Sequence, residues 1–88
     1  MQNNIEQYEI YIVADNDEGV LVKVCNLFAA RGFSIETLHA QPINAEKSIS
    51  SITITALLPS DKILNIKEKI LQIVPVREVK IFCEKEVL

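Results

Sequence analysis

Four stretches of this chain alternate between apolar and polar residues, and each stretch predicts a β-strand. The predicted strands are residues 5–14, 34–43, 50–58 and 76–83. Because successive side chains of a strand point to opposite faces, Tyr8, Ile10 and Ile12 share one face of the first strand. Each strand has one apolar and one more polar face, which is typical of a sheet that helices cover on one side only.

Two further segments repeat their apolar residues every three or four positions, the spacing of an amphipathic helix. The first helix, residues 19–31, has an apolar stripe that consists of Leu21, Val24, Cys25 and Phe28. The second helix has a stripe that consists of Ile63, Ile66, Ile70 and Ile73. We expect Gly32 to act as the C-cap of the first helix and Ser60 as the N-cap of the second. Pro75 should end the second helix.

The order of the elements, βαββαβ, predicts the fold. With right-handed crossovers it gives the ferredoxin-like α+β topology, a four-stranded antiparallel sheet with two helices on one face. The chain has 88 residues, which is enough for one domain only. We therefore expect a single domain over residues 1–88 with its core at about residues 5–83.

Composition excludes several classes of partner. The net charge is −3, which argues against nucleic-acid binding because such proteins present a basic face. No apolar run approaches the ~20 residues of a membrane span, and the N-terminus lacks the features of a signal peptide; a cytoplasmic protein is expected. Cys25 and Cys83 lie far apart in apolar runs, so we expect buried free thiols and no metal site.

Other proteins with the same element order differ from this chain in their chemistry. Acylphosphatases bind an anion with a loop that contains arginine, whereas the loop after the first strand here is acidic. RNA-recognition domains stack bases on aromatic residues of both central strands, and the third strand here has none. His39 is the only histidine and has no catalytic partner in the sequence. We therefore expect no catalytic residue and no enzymatic activity.

The acidic turn that precedes the first helix is the candidate ligand site. Free N–H groups at a helix N-terminus attract a carboxylate, and Gly19 allows a ligand to approach the backbone. Asn16 offers hydrogen-bond donors and an acceptor, and an acidic neighbour such as Asp17 favours an ammonium group. The loop thus suits both charged groups of an α-amino acid. The same residues also suit a simple turn that caps the helix, and both interpretations remain open.

Residues 16–38 follow the pattern N-x-x-G-V-L-x-x-V-x-x-L-F-A-x-R-G-F-x-I-E-x-L. With this pattern the chain resembles the ACT domain family, amino-acid-sensing modules with the βαββαβ fold. More narrowly, it is similar to the small regulatory subunit of acetolactate synthase (acetohydroxyacid synthase, AHAS). The resemblance covers about residues 5–82. Because the chain carries one such domain, we expect the short, single-domain class.

The resemblance implies a non-catalytic subunit that activates the large catalytic subunit of acetolactate synthase. It also implies binding of a branched-chain amino acid, most typically valine, for feedback inhibition of branched-chain amino acid biosynthesis. Thiamine diphosphate, Mg and FAD would belong to the large subunit, and this chain would bind no cofactor. The alternative function is a free-standing ACT-type sensor that acts on another enzyme of amino-acid metabolism.

The family's effector lies between the first loop of one chain and the start of the second strand of another. Carried over to this sequence, the effector-binding residues are Asn16, Asp17, Gly19, Val20, Ser34 and Ile35. Ser34 stands where the family usually has asparagine, whose amide makes more hydrogen bonds than a hydroxyl. ACT domains pair through an edge strand, and residues 34–41 contain no lysine or arginine to protect such an edge. A homodimer through this strand is therefore expected.

Overall fold

Six elements follow one another in the predicted order in the computed structural model of the protein, which describes residues 4–83. They are β1 (Ile5–Asp15), α1 (Glu18–Ala30), β2 (Ser34–Pro42), β3 (Ile49–Pro59), α2 (Ile63–Leu71) and β4 (Val76–Cys83). The four strands form one antiparallel sheet in the order β2-β3-β1-β4, so β2 and β4 are its edges. The ferredoxin-like fold is confirmed. The predicted domain limits, residues 1–88, reach beyond the described residues at both ends.

The core lies between the two helices and one face of the sheet. Its buried side chains from the strands are Tyr8, Ile10, Ile12, Ala14, Ile52, Ile54, Ala56, Leu58 and Val79. Those from the helices are Val20, Val24, Phe28, Ile63, Ile66 and Ile70. The predicted faces of β1, β3 and α2 are therefore confirmed. Burial of these apolar side chains is the main source of the domain's stability.

The buried stripe of α1 differs from the predicted one by about one position. Val20, Val24 and Phe28 are buried, whereas Leu21 and Cys25 are half-buried. Apolar residues occupy most positions of this helix, so two neighbouring stripes are compatible with the sequence. Packing into the common core selects the one that starts at Val20. The expectation that both cysteines are fully buried is also wrong, since Cys25 and Cys83 are half-buried free thiols.

The C-terminal end of α1 forms a Schellman motif. Arg31 is the C-cap, and Gly32 follows it in the left-handed region with φ 72°. The Gly32 N–H donates to the Ala29 carbonyl at 3.1 Å, and the Phe33 N–H donates to the Phe28 carbonyl at 3.0 Å. Glycine adopts this backbone conformation without steric cost. Gly32 thus ends the helix as predicted, one residue beyond the C-cap itself, and starts the chain into β2.

The start of α2 departs from the prediction. Lys62 is the N-cap and makes no side-chain capping bond, so the expected role of Ser60 is wrong. The Ser60 N–H instead donates to the Asn4 carbonyl at 2.9 Å, and the Lys62 N–H donates to the Pro59 carbonyl at 2.9 Å. Residues 60–62 are therefore held in a turn that continues from β3, and the helix begins only after it.

A bulge in β2 sets which side chains face the helices. Ile35 pairs with Ala56 and Thr37 with Thr55, so Glu36 is an extra residue on the β2 side. The insertion places Ile35 and Leu38 on the same face although they are three residues apart. Leu38 is nevertheless 37% exposed. The core therefore buries Leu38 only in part, and some apolar surface stays exposed at the β2 edge of the sheet.

Candidate functional site

The loop between β1 and α1 is tied to the turn between β2 and β3. The Asn16 N–H donates to the Ser48 carbonyl at 2.8 Å, and the Asn16 side-chain Nδ2 donates to the Lys47 carbonyl at 2.8 Å. Asn44 stabilises that turn, because its Oδ1 accepts hydrogen bonds from the backbone N–H groups of Ser48 and Ile49. Asn16 is itself exposed. Two hydrogen bonds therefore fix the position of this exposed residue.

Asp17 caps the N-terminus of α1. Its Oδ1 accepts a hydrogen bond of 2.8 Å from the Gly19 N–H. A Cβ atom at position 19 would lie 3.3 Å from that same oxygen, so glycine leaves space beside the cap. The turn-and-cap interpretation therefore holds for Asp17. The Val20 N–H also donates to Asp17, to its backbone carbonyl at 3.0 Å, so a ligand at this loop would rely on the exposed Asn16 beside the cap.

The acidic charge of the loop is partly neutralised. Arg77, near the start of β4, donates a hydrogen bond from Nε to Asp15 Oδ1 at 2.6 Å, and the two side chains form an ion pair. These residues are 62 positions apart, and nothing in the sequence pattern indicated their contact. The ion pair is exposed, so its net contribution to stability is small, about 0–1 kcal/mol. The contact joins the end of β1 to the start of β4.

The six predicted site residues fall into two groups within one chain. Asn16 and Asp17 lie just before α1 and Gly19 lies in its first turn, whereas Ser34 and Ile35 lie at the start of β2. Most of α1 lies between the two groups, and at ~1.5 Å per residue its length sets them roughly 15–20 Å apart. The Val20 side chain is in the core at 2% exposure, and its backbone N–H donates to the Asp17 carbonyl at 3.0 Å.

Other candidate chemistry is sparse in the described part of the chain. Within residues 4–83, no three histidine, cysteine, aspartate or glutamate side chains are grouped as potential metal ligands. His39 is exposed on β2 and pairs with Thr53 of β3. No helix of the described region is long and apolar enough to cross a membrane.

Comparison with known proteins agrees with this architecture. A family model described as an AHAS small subunit-like ACT domain matches residues 10–78. Among solved structures, the acetolactate synthase small subunit from Thermotoga maritima is 28% identical, with a TM-score of 0.74. The alignment covers 86% of this chain and 47% of that one, so this chain spans about half of that subunit.

Two further solved structures share the fold at lower identity. An uncharacterized protein from Thermotoga maritima is 24% identical, with a TM-score of 0.72 and coverage of 91% of this chain and 98% of that chain. The ACT domain of a GTP pyrophosphokinase from Chlorobium tepidum is 18% identical, with a TM-score of 0.74. That alignment covers 90% of this chain and 100% of the domain. At these identities the likeness shows the fold alone.

Proposed function

The chain belongs to the family of AHAS small subunit-like ACT domains, and we propose that it is a regulatory subunit of acetolactate synthase. In this proposal it activates the large catalytic subunit and binds a branched-chain amino acid, valine in the first instance, to mediate feedback inhibition. The family match over residues 10–78 is the observation that carries the proposal. The ACT domains of the family are regulatory and not catalytic, and the chemistry belongs to the partner subunit.

The ligand site we propose lies between two copies of the chain. The Asn16 loop is bonded to the turn that follows β2, whereas Ser34 begins that strand. If two β2 strands pair antiparallel about a two-fold axis, the start of one lies beside the end of the other. This arrangement would bring Ser34 and Ile35 of the second copy towards Asn16 and Gly19 of the first. The two groups that are separated within one chain would then form one site.

The two edges of the sheet differ in a way that favours pairing through β2. The β4 edge carries Arg77, Glu78 and Lys80, and charges on an edge strand discourage pairing with another chain. The β2 edge carries no lysine or arginine and one acidic residue, Glu36 in the bulge, and Leu38 leaves apolar surface exposed beside it. We therefore propose β2 as the homodimer interface.

Activation of the catalytic subunit tests the proposed function directly. The isolated chain should convert no pyruvate. When it is added to the large subunit of acetolactate synthase from the same organism, loaded with thiamine diphosphate, Mg²⁺ and FAD, the rate of acetolactate formation should rise. Valine should then lower that rate. Rate measurements that show no change on addition of the chain would instead favour the alternative, a sensor for another enzyme of amino-acid metabolism.

Ligand binding can be followed separately by thermal unfolding. A ligand that binds only the folded state stabilises it by about 2.7 kcal/mol at ~100 times its dissociation constant. Valine, isoleucine or leucine should therefore raise the melting temperature, and lysine or aspartate should not. Asn16→Ala should abolish this rise and also cost about 0.5–1.5 kcal/mol of intrinsic stability, because Nδ2 loses its bond to Lys47.

Asn44→Ala is the matched control for this experiment. It removes a side-chain amide that stabilises the same turn but that lies outside the proposed site. The melting temperature of Asn44→Ala should fall, while valine should still raise it. Full retention of the valine effect in Asn16→Ala would mean that the loop is only a turn with a cap.

Ser34→Asn should strengthen valine binding. The expected gain in binding free energy is that of one hydrogen bond, about 0.5–1.5 kcal/mol.

A further inference from the structure

A cavity of about 260 Å³ lies where the C-terminal end of α1 meets the N-terminal end of α2. Its lining consists of Arg31, Phe33, Lys62 and Asn65. Arg31 and Phe33 are placed there by the Schellman motif, and Lys62 by the turn that delays the start of α2. The cavity is at the opposite end of α1 from the Asn16 loop, and one chain supplies all of its lining.

The two cations of this cavity have no carboxylate partner in the described structure. The ion pairs found within residues 4–83 are Asp15–Arg77 and Glu78–Lys80. Arg31 donates from Nη1 to the Leu27 carbonyl at 3.2 Å, which leaves the remaining guanidinium donors available. The cavity therefore concentrates positive charge in a chain whose net charge is −3.

No acidic side chain of the neighbouring segments opposes this charge inside the cavity. The first turn of α2 contains no acidic residue, and Asp61 is exposed and does not line the cavity. Asn65 adds an amide with two donors. Phe33, which packs partly against the core, supplies the apolar surface of the lining.

We propose that this cavity binds a small organic anion that has one carboxylate and a short hydrocarbon part. Arg31 and Lys62 would bind the carboxylate by charge-assisted hydrogen bonds, Asn65 would donate to it, and the hydrocarbon part would contact the ring of Phe33. The cavity is smaller than pockets for drug-sized ligands, about 300–1,000 Å³, so a ligand of a few heavy atoms fits it best. This site is distinct from the amino-acid site proposed above and needs no second copy of the chain.

The test is a titration of the ¹⁵N-labelled chain with 3-methylbutanoate, followed by amide chemical shifts. Its neutral counterpart 3-methylbutanamide has the same shape and serves as the control ligand, and chloride keeps the ionic strength constant. Saturable shifts should appear at Phe33 and Asn65 with the acid and be absent or far weaker with the amide. The expected affinity is millimolar because the ligand is small.

Variants separate the cavity from general electrostatic attraction. Arg31→Gln and Lys62→Gln should each weaken binding about tenfold, since each removes a hydrogen bond to a charged group. Lys23→Gln is the matched control, because Lys23 lines the neighbouring groove between the helices and not this cavity. It should leave binding unchanged. The amide spectrum of each variant verifies its fold.

Three results would overturn this proposal. The first is equal binding of the acid and its amide. The second is a loss of affinity in Lys23→Gln as large as that in Lys62→Gln, which would indicate attraction to overall charge. The third is a set of shifts centred on Asn16 and Ser34, which would mean that the probe occupies the proposed amino-acid site. That third result would leave the proposed function itself intact.

Discussion

Replacing Phe28 with alanine should destabilise the domain by about 3–5 kcal/mol, the usual cost of removing a fully buried phenylalanine. Phe28 is completely buried between α1 and the sheet. A domain of this kind has a total stability of only about 5–15 kcal/mol, so the variant loses a large part of it. Thermal unfolding should show a fall in melting temperature on the order of 15–30 °C.

Phe82→Ala is the matched control for the effect of Phe28→Ala. Phe82 lies on β4 and is 47% exposed, so its removal deletes much less buried surface and leaves no closed cavity. Its effect should be about 1 kcal/mol or less. Equal losses of melting temperature in the two variants would contradict the assignment of Phe28 to the core.

Replacing Leu38 with lysine should convert the proposed homodimer into monomers. Sedimentation equilibrium of the unaltered chain should give about twice the 9.9 kDa of one chain. Leu38 lies on the edge strand β2, and a two-fold axis would place the new charge at the interface twice. If each unpaired ammonium costs about 1–3 kcal/mol, the dimer should weaken on the order of 100-fold. Valine stabilisation should disappear with the dimer, because Ser34 and Asn16 would no longer meet.

Leu71→Lys tests whether the effect is specific to the β2 edge. Leu71 lies on α2 and is 45% exposed, close to the 37% of Leu38. The same substitution there should leave the dimer and the valine effect unchanged. A monomeric unaltered chain, or equal dissociation of both variants, would exclude β2 as the interface and with it the proposed ligand site.

The regular spacing of apolar residues made most of the fold predictable from the sequence. In β1 and β3 apolar residues recur at every second position, and their predicted faces are the ones found in the core. In α2 the isoleucines recur at the helical spacing, and Ile63, Ile66 and Ile70 are buried as predicted. In α1 the apolar residues are too numerous to define one stripe, and Val20 was assigned to a ligand site although its side chain is in the core. Ser60 has good capping chemistry, but backbone bonds of the turn override it.

The sequence predicted only part of the candidate site. The sequence identified Asn16, Asp17 and Gly19 through the chemistry of a turn before a helix, and it identified Ser34 through a family pattern. It contained no signal for the bond between Asn16 and the Lys47 carbonyl, or for the Asp15–Arg77 ion pair. Both contacts join segments that are distant along the chain, and neither follows from a local pattern of residues.

By itself, the sequence determined the element order, the ferredoxin-like fold and the core faces of β1, β3 and α2. These features depend on the periods of strands and helices and on turn residues such as Gly32, which act over a few neighbouring positions. Only the tertiary structure decided the buried stripe of α1, the bulge at Glu36 and the two hydrogen bonds that hold Asn16. It also brought Arg31 and Lys62 together in one cavity. Each of these depends on which distant segments pack together, because steric fit and backbone hydrogen bonds across the fold select among arrangements that local chemistry permits equally.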